Sequence, residues 1–183
     1  MRLFQIAIGL WLCCVGGPAM AEPALWQALR SGEAVALLRH AEAPGTGDPP
    51  GFRLEACATQ RNLSPAGRAQ AARLGALFRA NGIANAETRS SQWCRCRDTA
   101  AALGLGPVQD APVLNSFFGS PQSASTQTAA LRALIDGLPA GQPAVLVTHQ
   151  VNITGLTGIY PGSGEVIVVA RQGYRVLGRI KSD

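Results

Sequence analysis

The sequence predicts one α/β domain: a three-layer α/β/α sandwich whose central sheet is mostly parallel, with a C-terminal antiparallel hairpin. Three observations predict it. Two apolar runs of strand length, Val35–Leu38 and Val145–Thr148, each lead to one of the chain's two histidines, His40 and His149. Between them, segments of helical period alternate with segments of strand character, the pattern of a sheet covered by helices. Two further apolar runs, Glu165–Ala170 and Tyr174–Ile180, flank Gln172-Gly173 and read as a hairpin. In open α/β sheets, ligands bind beyond the carboxyl ends of the strands. The two histidines are therefore expected at one place.

The elements follow in order. Pro23–Ser31 reads as a short helix stopped by Gly32, and Val35–Leu38 is the first strand. From Ala43 to Leu63 there is no clean period, and Pro44, Gly45, Gly47, Pro49, Pro50 and Gly51 break regular structure. A loop of this length in a compact domain is usually functional, and its position after His40 predicts a substrate-covering role. Ser64-Pro65 starts a helix, with a hydroxyl N-cap followed by proline at the first helical position. Leu74, Leu77 and Phe78 form its apolar stripe, and Asn81-Gly82 ends it. Ile83–Thr88 is a weaker strand leading to Arg89-Ser90-Ser91, followed by a helix from Gln92 to Leu103 that stops at Gly104. Leu131, Leu134, Ile135 and Leu138 mark a third long helix by their i, i+3, i+4, i+7 spacing.

Composition excludes several classes. The 183 residues are 47% hydrophobic and 15% charged, which fits a folded globule rather than a disordered chain. The net charge of +5 is spread without a basic run, and aromatics make up 5%. This is not the basic stripe with stacking aromatics of a nucleic-acid binder. Lys181 is the sole lysine, so nearly every cation is an arginine, whose fork suits bidentate phosphate recognition. Residues 1–21 read as a signal peptide: Arg2, an apolar run from Leu3 to Val15, and Ala19-Met20-Ala21 before Glu22. The expected mature domain is 22–183, in the periplasm or secreted, with no membrane insertion once the leader is removed. Cys13 and Cys14 leave with the leader. Of the remaining Cys57, Cys94 and Cys96, the last two are too close in sequence to pair comfortably, so Cys57 is expected to bridge to one of them.

Arg39-His40-Ala41 resembles the Arg-His-Gly signature of the histidine phosphatase (phosphoglycerate-mutase-like) superfamily. Leu63-Ser64-Pro65-Ala66-Gly67-Arg68-Ala69-Gln70-Ala71 resembles that family's helix start. Ser91-Gln92-Trp93-Cys94-Arg95 with Thr99-Ala100 is similar to its arginine element, and Val147-Thr148-His149 to its second-histidine strand. All four occur in the family's order. The resemblance implies a metal-independent hydrolase with no cofactor, acting on a small phosphorylated substrate. It implies that His40 attacks phosphorus while Arg39, Arg95 and His149 surround the phosphoryl oxygens. Such transfer depends on positioning and charge stabilisation. An exported member is expected to meet a periplasmic substrate such as an envelope sugar phosphate.

Two departures stand out. Ala41 replaces the signature glycine and is expected to crowd the backbone near the phosphate slightly. Where many members carry a glutamate that protonates the leaving group, this chain has Asn115, expected to orient substrate but unable to donate that proton. Glu42, Asp48 and Glu55 are the substitutes, with Glu42 and Asp48 preferred. The alternative is a non-catalytic phosphate- or phosphoglycan-binding module that has lost its acid. Arg53 and Arg61 read as solvated loop charges, with a second anionic group of the substrate as their other candidate partner. Arg97 is expected to be solvated or paired with Asp98. Cys94 and Cys96 with the histidines would suit zinc only if both thiols were free.

Overall fold

The computed structural model describes residues 22–181. The expected leader, with Cys13 and Cys14, lies outside the described residues. Six strands form one sheet: β1 (Ala34–Arg39), β2 (Glu87–Ser90), β3 (Val108–Asp110), β4 (Ala144–Thr148), β5 (Val166–Ala170) and β6 (Val176–Ile180), in the order β3-β2-β4-β1-β5-β6. The four strands from β3 to β1 run parallel, β5 is antiparallel to β1, and β6 to β5. The expected fold class is the observed one.

The layers follow from strand alternation. In β1, Ala34, Ala36 and Leu38 face one core, and Val35 and Leu37 the other. In β4, Val145 and Val147 face the first core, and Ala144 and Leu146 the second. The first core is closed by α1 (Glu22–Arg30), α2 (Pro65–Ala80) and α3 (Cys94–Leu103), through Leu25, Trp26, Leu74, Phe78 and Leu103. The second is closed by α4 (Ala124–Asp136) and α5 (Gln150–Thr157), through Leu131, Ile135 and Ile153. Among the described residues, no helix is long and apolar enough to cross a membrane.

Several boundaries differ from expectation. The second strand begins at Glu87, because the turn after Asn81-Gly82 carries Ile83 into the first core before pairing starts. The edge strand β3 has three largely polar residues and therefore no hydrophobic signal. Arg97 bonds to Asp110, while Asp98 pairs with Arg68. Neighbouring residues on a helix do not face each other.

The two helix starts at the site follow local chemistry. The Ser64 hydroxyl accepts the Gly67 N–H at 2.9 Å and caps α2. A Cβ at Gly67 would meet the Glu42 carbonyl oxygen at 2.0 Å, so only glycine lets α2 approach the chain leaving β1. Cys57 is bridged to Cys94, which fixes the long loop to the first residue of α3. Cys96 is free and buried. Closing a loop of 37 residues contributes roughly 4 kcal/mol in the chain-entropy account.

Candidate active site

Parallel pairing of β1 with β4 sets Arg39 opposite Thr148, so the next residue of each strand, His40 and His149, leaves the sheet at the same carboxyl end. The His40 N–H donates to the Thr148 carbonyl at 3.0 Å and holds that register. The imidazole centroids lie 5.5 Å apart. Both rings line a cavity of about 380 Å³ with Arg39, Arg61, Arg95 and Asp48.

The hydrogen bonds of each ring fix its chemistry. His40 Nδ1 lies 2.8 Å from the Ala41 carbonyl oxygen. That oxygen can only accept, so Nδ1 carries the proton and Nε2 keeps its lone pair. Burial lowers the His40 pKa to about 3; the Ala41 bond opposes the fall, and Arg95, Arg61 and Arg39 add to it. The His149 pKa also falls well below the ordinary value, first by burial and then by His40 and the three arginines. Both rings are neutral at neutral pH.

This makes folding pH-dependent with a definite sign. Below about 6.5 an unfolded histidine takes up a proton, whereas native His40 stays neutral down to about 3. The unfolded state binds more protons in that window, so stability falls as pH is lowered through it. Urea unfolding should give a lower midpoint at pH 5 than at pH 7, and His40→Ala should reduce the difference.

His149 Nε2 lies 2.9 Å from the Ser91 hydroxyl, which donates to Asn115 Oδ1 at 3.2 Å. Ser91 therefore accepts from His149 Nε2–H, and that ring has the Nε2-protonated form. The Asn115 oxygen also takes the Gln92 N–H at 2.9 Å, and its amide donates to Gln92 Oε1. Asn115 thus stands behind Ser91 and Gln92, outside the cavity wall. It orients His149 through Ser91; the expected direct contact with substrate is absent from this geometry.

Arg95 is 3% exposed and makes a two-pronged pair with Asp48, at 2.7 and 3.2 Å. Asp48 also accepts from Trp93 Nε1 and the Arg61 N–H. Burial alone would raise its pKa; the bonds from Arg95, Trp93 and Arg61 outweigh that and hold the carboxyl below its ordinary value. Asp48 is thus a carboxylate partner of Arg95, not a protonated acid. Arg39 donates to the Pro161 carbonyl at 2.8 Å. The Nε atoms of Arg39 and Arg95 are both buried without a hydrogen-bond partner.

The structure does not bring Glu42 into this group. Its carboxylate accepts from the Ser64 hydroxyl at the start of α2. Glu55 and Arg53 are exposed and lie outside the cavity wall. Arg61, read as a loop charge, instead lines the cavity, tied to the Gly47 carbonyl at 2.7 Å and to the Ala43 carbonyl. The long loop supplies Gly45, Thr46, Gly47, Asp48, Phe52 and Arg61 to the wall. Its anchors are the disulfide, Asp48, and Gln60, which accepts the Cys94 N–H. Ala41 is fully buried, and its methyl packs in a small cluster with Ala43, Leu63 and Ala71. Cys94, locked in its disulfide, is removed from any thiolate ligand set. Among the described residues, no group of three or more His, Cys, Asp or Glu is placed to hold a metal ion.

A cationic cavity with two neutral imidazoles, set at the carboxyl ends of parallel strands, defines an α/β protein with an anion-binding site. The sequence profile of the histidine phosphatase superfamily (branch 1) matches residues 35–127. The chain belongs to that superfamily, and so to the phosphatase class of hydrolases. Among solved structures it is similar to the protein histidine phosphatase SixA complexed with tungstate, at 16% identity and a TM-score of 0.57 over 81% of this chain and 96% of that one. It is similar to the putative phosphohistidine phosphatase SixA from Agrobacterium tumefaciens, at 21% identity and 0.58 over 82% and 99%. It also resembles TTHB049 from Thermus thermophilus, at 21% and 0.59 over 82% and 99%. These likenesses concern the fold. No curated protein sequence matches the chain.

Proposed function

We propose that the protein is an exported, metal-independent phosphatase that works through a phosphohistidine on His40. The observation that carries this reading is the convergence of Arg39, Arg61 and Arg95 on the cavity that both imidazoles line, with His40 holding its proton on Nδ1 and so keeping the Nε2 lone pair. That one similar structure holds tungstate, a tetrahedral oxyanion, supports the same reading. His40 Nε2 attacks phosphorus, a P–N bond forms, and the P–O bond to the leaving group breaks with its electron pair. Water then attacks the phosphohistidine, releasing phosphate and restoring neutral His40. Arg39 and Arg95 stabilise the equatorial oxygens, and His149 packs beside His40. The Cys57–Cys94 bridge supports an oxidising compartment, and with the expected leader favours a small phosphorylated substrate met in the periplasm.

Among the described residues, no cavity-lining carboxyl is free to act as an acid, since the one present, Asp48, is held by Arg95. General acid help contributes roughly 10² to 10⁴-fold. The enzyme should therefore hydrolyse acetyl phosphate at least about 10²-fold more efficiently than glycerol phosphate, with chelator present throughout. Efficient release from glycerol phosphate would require an acid this reading lacks. Release from neither compound would favour the non-catalytic binding module.

A further inference from the structure

Beyond its charged groups, the cavity carries an aromatic surface that phosphoryl transfer does not use. Phe52 stacks on Trp93 with centroids 5.2 Å apart and planes 16° apart. Trp93 is fixed in turn by its Nε1–H bond to Asp48 and by an edge contact with His149 at 5.3 Å. Phe118, on the loop after Asn115, also lines the cavity and is 56% exposed. It is one of two large apolar side chains left exposed among the described residues, and Tyr160, the other, is outside this wall.

Charge narrows what this surface can hold. Three guanidiniums against the single Asp48 carboxylate leave the wall at net +2, with both imidazoles neutral. A phosphomonoester dianion balances that charge. Among the described residues, no other charged side chain lines the cavity, so a second phosphate or carboxylate on the substrate would find no partner. The volume of about 380 Å³ lies toward the small end for ligand cavities and suits a phosphoryl group with one ring.

Resting on the phosphoryl-binding reading above, we infer that the cavity takes a phosphoryl group carried on an uncharged planar ring, with Phe118, Phe52 and Trp93 as the ring's contacts. Phe52 and Trp93 are already held in place and meet such a ring at little ordering cost, while the exposed Phe118 adds apolar contact.

The test compares phenylphosphonate with methylphosphonate, both non-hydrolysable, by titration calorimetry on the mature protein. The phenyl compound should bind about tenfold more tightly. Phe118→Ala should bring the ratio of affinities toward one, and Phe118→Tyr should keep it. Should Phe118→Ala fail to fold, Phe52→Leu reads the same ratio. Equal affinities, no binding of either compound, or a preference untouched by the substitutions would overturn the inference. Acetyl phosphate turnover separates this from the catalytic reading. Turnover without a phenyl preference sinks the aromatic seat alone, whereas a phenyl preference without turnover supports the seat and sinks the catalytic reading.

Discussion

Replacing His40 by alanine is expected to lower phosphate release from acetyl phosphate by about 10⁴-fold or more, the scale seen when a covalent nucleophile is removed. The geometry gives the reason. His40 holds its proton on Nδ1 through the Ala41 carbonyl, which leaves Nε2 as its lone-pair nitrogen on the cavity. His149 is held through Nε2 by Ser91 at 2.9 Å, which fixes its ring beside His40. The fold should survive, because β1 is held by its ladders to β4 and β5 and the lost side chain is a neutral one. Steady-state rates alongside circular dichroism check both halves. A variant keeping more than about a tenth of wild-type kcat would remove His40 from the nucleophile's role.

Arg95→Ala carries the second largest effect, and it should strike activity and stability together. Losing a positioned donor to phosphoryl oxygens costs about 10² to 10³-fold in kcat. It also strips Asp48 of its two-pronged partner, leaving only Trp93 Nε1 and the Arg61 N–H to hold a part-buried carboxylate. Breaking such a pair from one side costs roughly 3 kcal/mol; Asp48 retains some solvent contact, which moves the expectation toward the low end. Asp48 is now held below the ordinary carboxylate pKa, so its contribution is present above that range and is lost as pH falls through its folded value. Part of the wild-type acid sensitivity should vanish with Arg95. The double variant Arg95→Ala, Asp48→Asn should recover stability in thermal melts without recovering turnover. Recovery of turnover by the double variant would show that Arg95 serves only to hold the loop.

Periodicity exposed what lay in contiguous sequence. The alternation of β1 and β4 is buried on both faces, so the strands read as unbroken apolar runs, and the histidine after each was visible at once. The N-cap at Ser64 and the stop at Gly104 are local chemistry, legible from a few residues. The partner of Arg95 was not legible. Asp48 stands 47 positions away in a glycine- and proline-rich loop, and nothing local distinguishes it from Glu42 or Glu55. Only the folded loop, tied down by Cys57–Cys94, decides which carboxylate reaches the cavity. Ser91 went unread for a related reason. It lay inside a recognised motif, but its task depends on Asn115 arriving from the loop after β3. Phe52 and Trp93, on separate segments, became one aromatic surface only through tertiary packing.

The most direct test of the central claim is to trap the covalent intermediate. The protein would be mixed with excess acetyl phosphate, quenched in base within the first turnovers, digested, and mapped by mass spectrometry under conditions that preserve phosphoramidates. The phosphoryl group should appear on the peptide containing His40 and disappear in His40→Ala. Vigorous turnover with no phosphorylated peptide, or with the phosphoryl group on the His149 peptide instead, would contradict the account.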